Sequence, residues 1–327
     1  MVKKFGRVTG VLISLAILAA PFLVWWQWNA IYDWARLRDY TPPAAVSSLA
    51  SQDTMTAYAK HLFYVNHPEL ESDASQFRTD CSESEKTIVL GCYHSTEQGI
   101  FIYNVQDSRL AGVQQVTAAH EMLHAAYDRL SVKERDYVDG LLQDYYNNDL
   151  QDQRIKDTIN AYKQSEPKDI VNEMHSVFGT EVSSLPAPLE TYYKQYFTNR
   201  QAITNFAAAY ENEFTSRENQ INGDDAQLTA LKQQIDSEEQ GLNQQLAQIN
   251  SDRARLDSLR GSNQIDAYNA SIGPFNAEVD SYNRGVAQLK SDIANYNDLV
   301  NTRNSTASEL RGLDSAIDTR LTTQASQ

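Results

Sequence analysis

Two cysteines in 327 residues exclude a disulfide framework and leave room for a single bridge, between Cys81 and Cys92. Glycine is sparse, at 13, and the chain contains no Gly-rich loop of the kind that cradles a phosphate group. Basic residues are also short. Against 43 Asp and Glu stand 28 Lys and Arg, a formal net charge of -15, and such a surface repels a phosphate backbone, which excludes a nucleic-acid partner. Anionic membrane surfaces are disfavoured for the same reason. What remains is a chain whose hydrophobic fraction of 41% can fill one compact core.

Charge is absent altogether from Val8 to Trp28, a run of Leu, Ile, Val, Ala and Trp that follows Lys3, Lys4 and Arg7. At about 1.5 Å per residue it can cross a hydrocarbon layer about 30 Å thick, with Trp25, Trp26 and Trp28 at the far interface. The basic cluster precedes the run and the flank after it is mixed in sign. The expectation is a single-pass anchor in the lipid bilayer over residues 8–28, the N-terminus cytoplasmic and the rest exported. A cleaved signal peptide is the alternative; the run is long for one and no Ala-x-Ala site follows it.

Pro42 and Pro43 break any helix continuing from the anchor and predict a short stalk. Ser47 to Tyr64 has helical spacing. Thr87–Tyr93 and Ile100–Val105 are short, β-branched and aromatic, as the two strands of a hairpin would be. Val113 to about Leu130 predicts an apolar helix, and Ser131 with Glu134 forms a capping box opening the next. A further helix is expected to open at Glu166-Pro167 and stop at Gly179.

Beyond Thr198 the composition turns to Gln, Asn, Asp, Ser and Ala. Ile221, Leu228, Ile235, Leu242, Ile249 and Leu256 recur at intervals of seven, as do Ile265, Ile272, Val279, Val286, Ile293 and Val300, with Tyr268, Phe275, Tyr282, Leu289 and Tyr296 three residues behind the second series. Such a seam predicts two coiled-coil arms, folded back at Arg260-Gly261-Ser262-Asn263, whose partner is the other arm, another protein or a second copy of the chain. Pro274 is expected to kink or interrupt the second arm near Ile272.

The chemistry concentrates in His120-Glu121-Met122-Leu123-His124. On a helix, residues four apart share a face, so both imidazoles can reach one metal ion while Glu121 projects beside them. Zinc brings a bound water's pKa towards about 7, and a carboxylate in that place can take its proton. Thr117-Ala118-Ala119 before the motif and Ala125-Ala126 after it are uncharged. The stretch resembles the active-site helix of the zincin metallopeptidases. No further His follows closely, unlike the metzincin pattern, and the segment Asp169–Gly179 looks like the Glu-bearing second helix of the gluzincin group.

That resemblance, which spans roughly residues 85–200, implies a zinc enzyme with His120, His124 and Glu173 as ligands and Glu121 as general base. His175 is the expected second catalytic residue, stabilising the oxyanion or orienting a ligand; Tyr192 or Tyr193 are candidates for the same role, and His175 and Glu181 are the substitutes for Glu173. It also implies that Ile100–Val105 lies at a sheet edge above the cleft and binds a peptide or protein substrate by β-addition, with Ile100, Ile102 and Asn104 in contact; a plain core strand is the alternative. His94 is a loop histidine within reach of the cleft. In an exported domain a Cys81–Cys92 bridge is favoured and contributes about 2–3 kcal/mol.

The expected chain is α+β and mainly helical. It comprises a basic tail (1–7), an anchor (8–28), a stalk (29–45), a zincin-like domain with a small antiparallel sheet (46–199) and an antiparallel coiled-coil hairpin turning near 261 (200–327). Two other functions share some of these features: a non-catalytic cell-envelope scaffold with a structural zinc, and a hydrolase of cell-wall amide bonds.

Overall fold

The computed structural model describes residues 27–81, 90–95, 99–165 and 167–319. The expected anchor lies outside the described residues except for its last two. No helix among the described residues is long and apolar enough to cross a membrane. The chain divides into two compact units, one made of residues up to Glu211 together with those from Ser315 on, the other of Asn212–Asp314.

In the first unit, α1 (Trp28–Leu37) leads to α2 (Ala44–Gln52) and α3 (Ala57–Val65). The single helical stretch expected over Ser47–Tyr64 is therefore split. Thr54 turns the chain at φ 52, and the Ala59 N–H donates to Thr56 Oγ1 to open α3.

The sheet has the order β1-β3-β2, with β1 (Glu69–Glu71), β2 (Gly91–His94) and β3 (Gly99–Tyr103). β2 and β3 form the expected antiparallel pair, Cys92 opposite Phe101, whereas β1 runs parallel to β3, Leu70 opposite Ile102. The sheet is thus mixed rather than antiparallel. Thr87–Val89, expected at the start of the first strand, lie outside the described residues.

Helix α4 (Ala74–Asp80) precedes the Cys81–Cys92 disulfide, whose S–S distance is 2.01 Å. The bridge packs with Phe77 against Phe101 and Tyr103 in a small apolar cluster. The bridge fixes β2 on both sides, by ladder bonds to β3 and by a covalent link to the end of α4.

The main core gathers around α5 (Val113–Asp128), which buries Val116, Ala119, Leu123 and Ala126 at the helical spacing of three and four. α6 (Val132–Asp144) begins with the expected capping box, Glu134 accepting from the Ser131 N–H at 2.8 Å. α7 (Gln153–Ser165), α8 (Ile170–Glu181) and α9 (Ala187–Tyr193) complete the shell.

The bounds of α8 differ from expectation at both ends. It starts at Ile170 after a turn and runs through Gly179 to Glu181. The glycine is not a terminator but a contact point: a Cβ there would lie 2.5 Å from Leu123 Cδ1 of α5 and 2.8 Å from Tyr193 Cε1 of α9. Its missing side chain lets α8 approach α5. Gly179→Val is expected to destabilise the unit by about 1–3 kcal/mol through overpacking, read as a lower Tm; an unchanged Tm would show that the contact relaxes without cost.

The second unit consists of most of α10 (Gln201–Gly261) and α11 (Ile265–Ile317). The chain turns at Ser262–Gln264, where Asn263 has φ 61, a conformation its short polar side chain tolerates. Cross-helix bonds set the two helices side by side in opposite directions: Arg217 to Glu309 at 3.2 Å, Arg303 to Asp225 at 2.9 Å, Gln234 to Asp292 at 3.1 Å and Arg255 to Ser271 at 3.3 Å. Leu256 is buried and Ile221, Leu228, Ile235, Leu242 and Ile249 half-buried, as the seven-residue series requires. In α11 the Tyr268 series is half-buried throughout, whereas Ile265 and Ile293 of the parallel series are exposed. Pro274 lies inside α11 without ending it, so of the two expected effects the interruption does not occur.

Candidate metal centre

Two neighbouring helices build the site. α5 presents His120 and His124 one turn apart, their ring centroids 4.7 Å from each other, and α8 presents Glu173 from its first turn. Glu173 Oε2 lies 3.6 Å from His120 Nε2, and Glu173 Oε1 lies 3.5 Å from His124 Nε2. One ligand atom from each of the three residues fits within 4.8 Å of the others.

The arrangement suits a cation better than a hydrogen-bond network. Glu173 is buried, yet its Oε2 has no hydrogen-bond partner among the described residues. Burying a carboxylate oxygen without a donor is costly, and a metal ion among the three groups relieves that cost. The local field has the same sign. Burial alone would depress His120, but the surrounding carboxylates of Glu173, Glu121 and Glu181 outweigh it and carry its pKa up to about 9. For Glu173 burial works upwards, and the His124 and His120 rings more than offset it, leaving the carboxyl below its usual range. The set of two imidazoles and one carboxylate is one that binds zinc while leaving a coordination position open. No further Asp, Glu, His or Cys joins the group among the described residues.

The three residues sit at the base of a cleft of about 320 Å³. Its walls include Gly91, Cys92 and Tyr93 of β2, Glu121 and Asp128 of α5, and Tyr162 of α7, with Asn172 and Glu181 of α8 and Tyr210 of α10 beyond them. Glu121 is nearly buried and faces β2. A Cβ built on Gly91 would lie 2.4 Å from Thr117 Cγ2 and 2.7 Å from Glu121 Oε1, so the strand backbone passes directly over the carboxylate. Only glycine permits that approach. If Glu121 serves as a general base beside a bound metal, Gly91→Val is expected to displace it and lower turnover at least tenfold at unchanged metal content; equal turnover in the two proteins would contradict that role.

Other expected site residues lie elsewhere. His175 is fully buried on the core side of α8, its Nε2 paired with Tyr192 Oη at 2.9 Å and its ring among Tyr127, Tyr192, Tyr193 and Tyr196. Burial, and then the neighbouring His124 and His120, lower its pKa to about 3, which keeps it neutral. It is a core histidine and is not among the residues that line the cleft. Residues two apart on a helix point to nearly opposite faces, so a helix that aims Glu173 at the metal aims His175 away. Tyr192 and Tyr193 belong to the same buried cluster, Tyr193 Oη donating to the His175 carbonyl at 2.7 Å. Glu181 does line the cleft but is held by Arg154 at 2.5 Å.

The expected substrate strand is also displaced. β3 is the central strand, paired on both sides, so it has no free edge; Ile100 and Ile102 are fully buried core residues. Asn104 follows the strand and its amide donates to Ser72 Oγ at 2.9 Å. The edge strand over the cleft is β2. His94, expected in a loop, is the last residue of β2; it is half-buried, its Nε2 2.6 Å from the Asp80 carbonyl and 3.4 Å from Cys92 Sγ, and it is not among the cleft-lining residues. Gly91 falls inside the Thr87–Tyr93 strand expected from sequence, where an isolated glycine marks a close backbone approach.

No protein-family model, no curated protein and no solved structure matches this chain.

Proposed function

We propose that the chain is a zinc-dependent metallopeptidase of the gluzincin kind, anchored in a membrane by Val8–Trp28, with its catalytic unit on the exported side and a coiled-coil extension formed by α10 and α11. The observation that carries this reading is the meeting of His120, His124 and Glu173 at the base of a cleft that Glu121 also enters. When bound there, zinc supplies Lewis-acid polarisation of a carbonyl and an acidified water.

The chain's own residues do the rest. His120, His124 and Glu173 hold the ion. Glu121 accepts the proton of the attacking water at its carboxylate as the C–O bond forms, then returns it to the departing amine nitrogen as the C–N bond breaks. Among the described residues β2 has no neighbour on its outer side, so its backbone can pair with an extended peptide there, which favours polypeptides over cell-wall amides. An exported location is compatible with the Cys81–Cys92 disulfide.

A structural zinc in a non-catalytic scaffold is disfavoured by the ligand count, since closed structural sites take four protein ligands and three gather here among the described residues. The reading is tested with full-length protein and a quenched fluorescent peptide library. Hydrolysis that stops on chelation and returns with zinc supports it. A protein that keeps its zinc and cleaves nothing is a scaffold.

A further inference from the structure

Helix α1 carries a stripe left exposed among the described residues. Trp28, Ile31 and Trp34 are spaced by three residues on one face and are 57%, 44% and 64% exposed. The Arg38 guanidinium stands over the Trp34 ring at 5.5 Å. The opposite face is fastened down. Asp33 is buried and accepts from Arg129 Nη2 at 2.7 Å, with His61 Nε2 at 2.8 Å. Arg36 Nε donates to the Val65 carbonyl at 3.1 Å, and His67 Nε2 lies 2.9 Å from the Arg36 carbonyl. The helix is thus held rigidly, with its aromatic face turned outward.

We propose that this face lies in the headgroup layer of the bilayer and holds the metal cleft at the membrane surface, so that the substrates are polypeptide segments lying next to the membrane. The inference rests on the reading of Val8–Trp28 as a span. That uncharged run leads directly into α1 and ends on Trp28, which places the first turn of the helix at the interface. Indole rings and an arginine with an apolar stem are the side chains that suit this layer. Electrostatic attraction plays no part, because the chain as a whole is acidic; insertion of the aromatic rings drives the contact.

The link to the site is short. Arg129 is the C-cap residue of α5, the helix that carries both histidines, so the Asp33–Arg129 pair joins the docked helix to the metal-binding one. Tyr32 of α1 stands near Tyr93 and Asp128 in the cleft wall.

The test uses full-length protein in phosphatidylcholine vesicles with Trp25, Trp26 and Trp28 each replaced by Phe, so that Trp34 is the single indole. The expected result is blue-shifted Trp34 emission, quenched several-fold more by lipids brominated near the headgroup than by lipids brominated at the chain ends, with Ile31→Ser reducing the quenching. A chain that withstands carbonate washing but whose Trp34 is not quenched overturns the docking and leaves the anchor standing; blue-shifted but unquenched emission would assign the stripe to a protein contact instead. A chain that washes off the vesicles overturns the anchor, and the docking with it.

Discussion

On the proposed function, Glu121→Gln is expected to lower peptide hydrolysis by about 10²–10⁴-fold, the range for removing a general base, with the metal retained. The substitution preserves the volume of the side chain and its place beneath Gly91, so the cleft does not have to rearrange. It removes the negative charge and, with it, the ability to take a proton. None of the three ligand positions is touched, which separates this variant from all those that empty the site. The check is paired: zinc by elemental analysis and turnover with one peptide, both in the full-length protein. Loss of metal together with activity would mean that Glu121 helps to hold the ion.

Glu173→Ala has the opposite signature. It deletes the one ligand contributed by α8 and leaves two imidazoles on a single helix. Changes one shell further out already weaken metal sites by about 10–100-fold, so removal of a direct ligand is expected to exceed roughly 100-fold in zinc affinity. Turnover at limiting zinc falls with it. The fold should survive, since the side chain's burial is a cost without the ion and its neighbours Met174, Val177 and Phe178 supply the packing. Competitive titration against a chromophoric chelator measures the shift. Retention of wild-type affinity would point to a ligand other than Glu173, with Glu181 next to be tested.

The legible parts of the site were those whose geometry is local. Two histidines four apart on one apolar helix need only the helix itself to converge, and the motif said so. Glu173 depends on a second helix crossing the first, and its position was readable only through the resemblance of its surroundings. His175 lies two residues from Glu173 and hence on the far face of α8, a matter of helical phase that its side-chain chemistry does not reveal.

The sheet failed in a comparable way. Glu69-Leu70-Glu71 has neither length nor β-branched residues to announce a strand, yet it pairs with β3 and turns a presumed edge into the centre. The disulfide and the capping box of α6 were readable because each is a short-range pairing with few alternatives. Gly179 looked like a helix stop because a helix ending and a close helix crossing both call for glycine; only the contact with Leu123 distinguishes them. In the second unit the seven-residue spacing gave the period of the seam. It did not say that the Tyr268 series would turn inward more completely than the series beginning at Ile265, because that depends on how the opposite helix sits.

Zinc-edge X-ray absorption of the purified full-length chain tests the central claim most directly. The account predicts about one zinc per chain, with two imidazole nitrogens, carboxylate oxygen and an exchangeable oxygen around it. A purified chain that takes up no zinc, or an ion enclosed by four protein ligands with no exchangeable position, would contradict it.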